Sequence, residues 1–222
     1  MVITGGGIVM ATRRLKTVHF WRGELPHWQV EDGRYFVTIH LHGSIPHEGR
    51  QRIRQLGERC RLVTSESTDA SDASLELSRR IFAEMERWLD RMTSVRLLQQ
   101  TELAEMVLEA IEHRCRRSVW EMHGAVVMPS HVHLLFELNP ELSLKHELEG
   151  FKRWIGHRAT QIDGRLRGER FWQTEWFDHW SRSDEEDERI VQYIQQNPVE
   201  AGLVARASEW PYVYPRKKRC SG

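Results

Sequence analysis

Two histidines separated by one residue carry the clearest chemical signal in this sequence. His131 and His133 lie in the segment MPSHVHLL, at the start of a run of apolar residues. Side chains alternate between the two faces of a β-strand, so both imidazoles of such a pair point to the same side. Two imidazoles on one face can hold a divalent metal ion, and the competing interpretation is an ordinary structural pair.

A second pair with the same spacing, His40 and His42, ends the segment YFVTIHLH. Periodicity does not separate the two pairs, because both are expected on strands. The pair at 40 and 42 runs directly into Gly43 and lacks the Met-Pro turn that precedes His131. We therefore interpret His40 and His42 as structural residues or as nucleic-acid contacts.

A tyrosine and an asparagine four residues apart form the second chemical signal. Tyr193 and Asn197 lie in the segment QYIQQNPVEAGLV, where the pattern predicts a helix over 184–196 that Pro198 stops. Residues four apart share one face of a helix, so their side chains are expected to lie close together. Tyr193 falls beside the apolar stripe, which by itself indicates an ordinary surface tyrosine.

Hydrophobic periodicity predicts the elements that would hold these residues in place. Apolar residues spaced by three and four indicate helices, and short β-branched or aromatic runs that end at turns indicate strands. Together these patterns predict an α+β domain with helices packed on a small antiparallel sheet. The predicted elements are a strand over 35–42, helices over 75–92 and 101–113, two strands within 118–138 that turn at Pro129-Ser130, a helix through Leu144 and Ile155, an aromatic segment over 171–180 and a helix over 184–196.

The composition suits one soluble domain of 222 residues, 40% of them hydrophobic. We interpret 1–17 as a flexible N-terminal extension, 18–212 as the domain, 213–222 as a basic tail and the polar stretch 64–74 as a surface loop. No apolar run reaches the roughly 18 residues of a membrane span. The three unclustered cysteines give neither a disulfide framework nor a zinc pair, and they fit a reducing cytoplasm.

The charges balance to a formal net charge of zero, whereas nucleic-acid-binding domains are usually basic. Their distribution is uneven, because bases are concentrated in 50–61 and 145–170 while 183–188 is acidic. This pattern is compatible with a basic face for DNA, and scattered solvated charge is the competing interpretation.

The segments MPSHVHLL and QYIQQNPVEAGLV, in this order, resemble the REP-associated tyrosine transposases of bacteria, which are IS200-like transposases of the HUH type. The segments FWRGELPHW, YFVT, FW and FDH, the last two within 171–180, match the same pattern. The similarity runs from about Phe20 to about Tyr212 and so covers most of the chain. One departure concerns the usual MPNHVH turn, where Ser130 replaces asparagine; we expect this change to be tolerated.

The resemblance implies a ferredoxin-like HUH domain that cleaves and rejoins single-stranded or hairpin DNA through a 5′-phosphotyrosine. His131 and His133 would be metal ligands, Asn197 a third ligand and Tyr193 the nucleophile, with His179 near the site. The implied cofactor is Mg²⁺ or Mn²⁺, because imidazole and amide ligands leave positions open for phosphate oxygens. The implied state is a monomer or a homodimer.

Basic residues near tryptophans are candidates for contact with single-stranded DNA, because such contacts combine aromatic stacking with charge neutralisation. Trp154 and Trp172 are the tryptophans concerned, although burial in the core is the favoured interpretation of both. The candidate DNA-binding residues are Lys152, Arg153, Arg158 and Arg170.

Three other functions are weighed against the transposase. A domesticated protein that binds hairpin DNA without transposing it would keep the fold and lose the catalysis. A histidine-triad nucleotide hydrolase would need a third histidine at the position of Leu135. A purely structural metal site would need more cysteine or histidine near the pair.

Overall fold

The computed structural model describes residues 15–64, 72–91 and 93–216. These residues form a five-stranded sheet, a separate two-stranded sheet and five α-helices. The elements in chain order are β1 Thr17–Arg22, β2 Pro26–Val30, β3 Arg34–His40, α1 His47–Thr64, α2 Asp72–Arg91, α3 Thr101–Arg116, β4 Trp120–Val127, β5 His131–Leu138, α4 Leu144–Ile162, β6 Phe177–Trp180, α5 Asp184–Glu200 and β7 Val213–Tyr214.

The five-stranded sheet is antiparallel and has the strand order β6-β3-β5-β4-β7. Strands β3, β4, β5 and β6 therefore occupy the order 4-1-3-2 of a ferredoxin-like sheet, with α3 and α4 as the connecting helices that pack on it. The predicted fold class is confirmed. The hairpin β1–β2 and helix α1 were not predicted.

The turn at Pro129-Ser130 joins β4 to β5, as the sequence predicts. The two strands pair from Trp120 opposite Leu138 to Val127 opposite Val132, and the Met128 N–H donates to the His131 carbonyl at 2.8 Å. Alternate residues of β5 enter opposite layers, because strand side chains alternate between faces. One of these layers is the main core and the other contains the paired histidines.

The main core lies between the sheet and helices α3 and α4. Val132, Leu134 and Phe136 of β5 belong to it, as predicted from the pattern. Trp120 stacks on Phe136 with 4.6 Å between ring centroids and meets Phe151 of α4 at 5.1 Å. Burial of such rings removes large apolar areas from water and dominates the stability of a core.

The opposite face of the sheet is covered by α1, α2 and α5. Met85 and Trp88 of α2 and Ile194 of α5 pack there with Leu135 of β5. A second hydrophobic layer therefore lies on the face to which the paired histidines point. The side chains on this face are enclosed between the sheet and three helices.

Helix α5 begins with strong local signals and continues further than its sequence suggests. The Ser183 hydroxyl accepts a hydrogen bond from the Glu186 N–H at 3.2 Å, and four acidic residues lie in the first turn. Negative charge there interacts favourably with the positive end of the helix dipole. The predicted stop before Pro198 is wrong, since Pro198 lies inside the helix. The helix ends before Gly202, whose φ of +68° suits the left-handed turn that commonly follows a helix.

Three predicted segments lie partly outside the described residues. Of the extension 1–17, only 15–17 are described, and Thr17 already belongs to β1. The loop predicted at 64–74 overlaps the end of α1 and the start of α2, and 65–71 lie outside the description. The basic tail placed at 213–222 begins with β7, and 217–222 lie outside the description. Among the described helices, none has the length and apolar character needed to cross a membrane.

A buried imidazole connects the β1–β2 hairpin to the main sheet. His27 of β2 contacts the carboxylates of Asp178 and Glu175, and its side chain is 1% exposed. Burial alone would lower the pKa of His27, but the attraction of Asp178 and hydrogen bonds to both carboxylates outweigh it and raise the pKa to about 9. His27 is therefore an imidazolium at neutral pH.

This pKa predicts how stability changes with pH. Because the folded pKa of His27 exceeds its unfolded value of about 6.5, its contribution is complete below pH 6.5 and is lost as the pH rises through 9. We expect the free energy of unfolding to fall by an amount on the order of 3 kcal/mol over this range. Denaturant unfolding of the wild type, of His27→Gln and of the control His19→Gln checks this. The prediction fails if His27→Gln keeps the wild-type slope.

Candidate metal and nucleophile site

The paired histidines stand at the start of β5 with their imidazoles on one face of the sheet. Their Nε2 atoms are 3.0 Å apart, and the residues are 1% and 0% exposed. The expectation that His131 and His133 point the same way is confirmed. Two nitrogen donors that converge at this distance can bind one cation between them.

Two hydroxyl groups hold the outer nitrogens of the imidazoles. His131 Nδ1 lies 2.9 Å from the Ser130 hydroxyl, which itself donates to the Leu89 carbonyl at 3.4 Å. The Thr38 hydroxyl lies 2.9 Å from His133 Nδ1. Hydrogen bonds at the outer nitrogen orient a ligating histidine. Ser130 therefore orients His131, although serine replaces the usual asparagine at this position.

The protonation of His131 suits a metal ligand. Burial, followed by the neighbouring charge of His133, lowers the pKa of His131 to about 3. The imidazole is therefore neutral at physiological pH. Since a neutral imidazole is the form that binds metals, His131 presents a lone pair to the site.

Helix α2 supplies an acidic residue that the sequence did not point to. Glu86 Oε2 lies 3.5 Å from His133 Nε2, and ligand atoms of Glu86, His131 and His133 all lie within 4.8 Å of one another. Burial would raise the pKa of Glu86, but attraction to His133 and hydrogen bonds to His133 and Tyr193 lower it to about 2. Glu86 is therefore a half-buried, ionised carboxylate that faces the two imidazoles.

These residues fit a divalent metal ion. Glu86 Oε1 is buried and has no hydrogen-bond partner among the described residues, and an unsatisfied buried carboxylate oxygen is costly. A cation between Glu86 and the imidazoles would satisfy this atom. One carboxylate and two imidazoles form a mixed oxygen and nitrogen set that suits several divalent metals.

The hydroxyl of Tyr193 adjoins the same group of atoms. It donates to Glu86 Oε2, lies 3.4 Å from His133 Nε2 and accepts from Asn197 Nδ2 at 2.9 Å. Tyr193 and Asn197 therefore share one helix face, as predicted. Tyr193 is half-buried rather than a free surface residue, because Phe36 and Phe82 pack edge-on against its ring at 6.0 and 5.5 Å.

Asn197 is fully buried and contacts the nucleophile candidate rather than the imidazoles. Its Oδ1 has no hydrogen-bond partner among the described residues. This second unsatisfied oxygen keeps Asn197 as a candidate ligand, and its role as the third ligand stays a prediction. Glu86 is the acidic residue that the structure adds to the predicted set.

The remaining predicted residues lie at different distances from this centre. His40 is buried and pairs in register with His131, and burial lowers its pKa to about 4. His42 is exposed and contacts Gln173 at 3.1 Å. His179 contacts Glu186 at 2.9 Å and lines a cavity that Tyr193 also lines.

The predicted DNA-contact residues lie on and after α4, which packs on the sheet face opposite the paired histidines. Arg153, Arg158 and Arg170 are exposed. Lys152 is engaged, since its Nζ donates to the Thr174 carbonyl at 2.5 Å and burial lowers its pKa to about 8. The two tryptophans differ: Trp154 is 45% exposed and Trp172 is 5% exposed, so the core interpretation holds only for Trp172.

This chain is similar to known proteins. The family model described as Transposase IS200 like matches residues 92–197. Over these residues the chain is similar to the IS200-like transposases. The REP-associated tyrosine transposase of Escherichia coli K12 is 31% identical over 110 residues, which are 49% of this chain and 62% of that protein. A Haemophilus influenzae protein that bears the same transposase name is 26% identical over 111 residues, which are 46% of this chain and 63% of that protein.

The fold also has a solved counterpart. A structure of a REP-associated tyrosine transposase bound to a REP hairpin matches with a TM-score of 0.54 and 19% identity, over 86% of this chain and 82% of that one. The resemblance predicted from the sequence is thus confirmed, and the chain spans less than two thirds of the curated relatives it matches. The IS200-like match begins at residue 92 and leaves out α2, the helix that carries Glu86.

The geometry predicts one metal site built from Glu86, His131 and His133. We expect His131→Asn and Glu86→Gln to lower the affinity for Mn²⁺ by more than about tenfold, because each removes a ligand atom. Ser130→Ala should cost about tenfold through loss of orientation. Isothermal titration calorimetry with Mn²⁺ measures these affinities, with the exposed His42→Asn as the control. Equal affinity in wild type and His131→Asn would contradict the site.

Proposed function

We propose that this chain cleaves and rejoins single-stranded or hairpin DNA in a metal-dependent, transposase-like reaction with Tyr193 as the nucleophile. The observation that carries the proposal is the position of the Tyr193 hydroxyl, 3.4 Å from His133 Nε2 and hydrogen-bonded to Glu86. The nucleophile and the metal-binding candidates therefore occupy one site within one chain. A single copy contains all of these groups.

The reaction exchanges one phosphodiester bond for another. The Tyr193 oxygen attacks phosphorus, the bond to the 3′-oxygen breaks, and the phenolic proton ends on the departing 3′-oxygen, so the products are a 5′-phosphotyrosine and a 3′-hydroxyl. The reverse attack by a 3′-hydroxyl rejoins a strand, so no external energy source is required. Glu86, His131 and His133 would hold Mg²⁺ or Mn²⁺, which when bound supplies charge stabilisation to the phosphate oxygens.

Glu86 has a positioning role toward the nucleophile. The Tyr193 hydroxyl donates to Glu86 Oε2, and the pKa of Glu86 is lowered mainly by attraction to His133. The carboxylate therefore accepts this hydrogen bond and orients the hydroxyl. A phosphate that contacts the Tyr193 oxygen would compete with this hydrogen bond.

Asn197 has a corresponding role on the other side of the hydroxyl. Its Nδ2 donates to the Tyr193 oxygen at 2.9 Å, so it fixes the ring from the next turn of α5. The predicted use of its Oδ1 as a third ligand fits the same proposal, since that atom is buried and unsatisfied among the described residues.

DNA is the proposed partner, and α4, which packs on the sheet face opposite Tyr193, is a candidate surface for it. Arg153, Arg158 and Trp154 are exposed there, and Arg170 is exposed further along the chain. Exposed arginines neutralise phosphates, and an exposed tryptophan provides a face for an unpaired base. The solved relative holds a REP hairpin, which supports hairpin DNA as the ligand of this chain. Action on DNA would place the protein in the cytoplasm with the nucleoid.

A domesticated protein that binds hairpin DNA without cleaving it remains the second candidate. It would need the α4 surface but not a nucleophile held against a metal site. The burial of His131 and His133 and the two hydrogen bonds to Tyr193 favour the enzyme, because a binding protein gains nothing from this costly buried polar cluster.

If Tyr193 is the nucleophile, the covalent adduct depends on its hydroxyl oxygen. Tyr193→Phe should form no covalent adduct yet bind DNA as tightly as the wild type, because only the hydroxyl is lost. The measurement incubates labelled hairpin oligonucleotides from DNA flanking the gene with protein and Mn²⁺ or Mg²⁺. Denaturing gels then show any covalent band.

Tyr212→Phe is the matched control, since it removes a hydroxyl that contacts Thr101 and should keep the adduct. An adduct with Tyr193→Phe would show that another residue is the nucleophile. Tight binding without a band in the wild type would support the domesticated binder.

The α4 surface predicts a change in salt dependence. If Arg153 and Arg158 each contact a phosphate, the double variant Arg153→Gln, Arg158→Gln should bind hairpin DNA more weakly. Its slope of log affinity against log salt should become shallower by about 2. Fluorescence anisotropy at several salt concentrations measures this slope. Arg116→Gln on α3 is the control, and an unchanged slope in the double variant would contradict a role for α4.

A further inference from the structure

A cavity of about 200 Å³ lies beside Tyr193, between α2, α5 and β6. Its walls contain Phe36, Phe82 and Phe177 as well as the Tyr193 ring. An apolar protein cavity of about 150 Å³ holds a benzene molecule. This cavity therefore has room for one flat ring system, and a base pair would not fit.

The walls of the cavity present several aromatic surfaces. Phe82 meets Phe36 and Phe177 at 5.2 Å between ring centroids in both cases. Phe82 also meets the Tyr193 ring at 5.5 Å. Phe82 is half-buried, so part of this aromatic cluster faces the open cavity rather than the core. A flat aromatic ligand could stack against it.

Two arginines and one acidic residue line the cavity, and the acidic residue, Glu186, is paired with His179 at 2.9 Å. Arg79 of α2 and Arg189 of α5 line it, and both are exposed. Among the residues that the structure describes, neither has an acidic partner within 4.0 Å. By contrast, Arg80, the next residue on α2, pairs with Glu76 at 3.0 Å. Two guanidinium groups at the rim could contact the phosphates on either side of an inserted base.

We propose that this cavity binds one unpaired base of single-stranded DNA, the base next to the phosphate that Tyr193 attacks. The inference rests on the proposed function, since it places the substrate relative to the same tyrosine. Aromatic walls stack on a base, arginines at the rim neutralise its flanking phosphates, and the Tyr193 hydroxyl lies beyond the wall that its ring forms. The cavity would thus position the strand for cleavage and require an unpaired nucleotide there.

The test measures which base the cavity holds. The probe is the tightest-binding hairpin oligonucleotide of the flanking DNA, with each single-stranded position replaced in turn by an abasic site. Binding is measured by anisotropy with a metal chelator present, so that no cleavage occurs. Stacking contributes about 1–3 kcal/mol per base, so one abasic position should weaken binding to the wild type by about tenfold.

The variants connect that position to the cavity. In Phe82→Leu the abasic penalty at the same position should shrink to about twofold or less. Arg79→Gln, an exposed change that leaves the core intact, should weaken binding of the unmodified probe by about threefold or more. Arg80→Gln, its neighbour on α2, should bind as the wild type does. Thermal unfolding shows whether each variant is folded.

The outcomes separate the inference from the proposed function. Equal abasic penalties in wild type and Phe82→Leu, together with normal binding by Arg79→Gln, would overturn the base site. If the Tyr193 adduct still forms in that case, the proposed function stands without it. If no oligonucleotide binds and no adduct forms, the proposed function fails and this inference fails with it.

Discussion

The antiparallel pairing of β3 with β5 determines which side chains meet on each face of the sheet. It places Thr38 opposite His133 and His40 opposite His131, so these polar side chains share one face. The alternate residues of both strands enter the core under α3 and α4. A shift of the register by one residue would exchange the two faces. It would therefore disrupt the candidate metal ligands and the core at the same time.

The polar groups on the covered face of the sheet destabilise the fold, and a metal-binding role would explain why they are there. Glu86 and Asn197 each bury an oxygen without a partner among the described residues, and such atoms destabilise a fold. The rings of Phe36, Phe82 and Tyr193 pack against one another beside these groups. Electrostatic interactions are stronger in such apolar, low-dielectric surroundings than in water. A bound cation would offset the cost and use the same low-dielectric surroundings for catalysis.

The parts of the site that depend on local geometry could be predicted from the sequence. Strand alternation placed His131 and His133 together, and helix spacing placed Tyr193 near Asn197. Glu86 could not be found in this way, because α2 carries several glutamates and only its packing on the sheet selects one. The stop at Pro198 was wrong because burial of that turn outweighs the lost hydrogen bond. Trp154 and Trp172 have similar sequence surroundings, and only the tertiary packing separates them.

The most direct test of the combined site is a crystal of this protein soaked in Mn²⁺ and measured for anomalous scattering. We expect one strong peak at bonding distance from His131 Nε2, His133 Nε2 and a carboxylate oxygen of Glu86, with the Tyr193 oxygen beside it. A peak elsewhere, or none at the two histidines at saturating Mn²⁺, would contradict the claim that these residues form one metal and nucleophile centre.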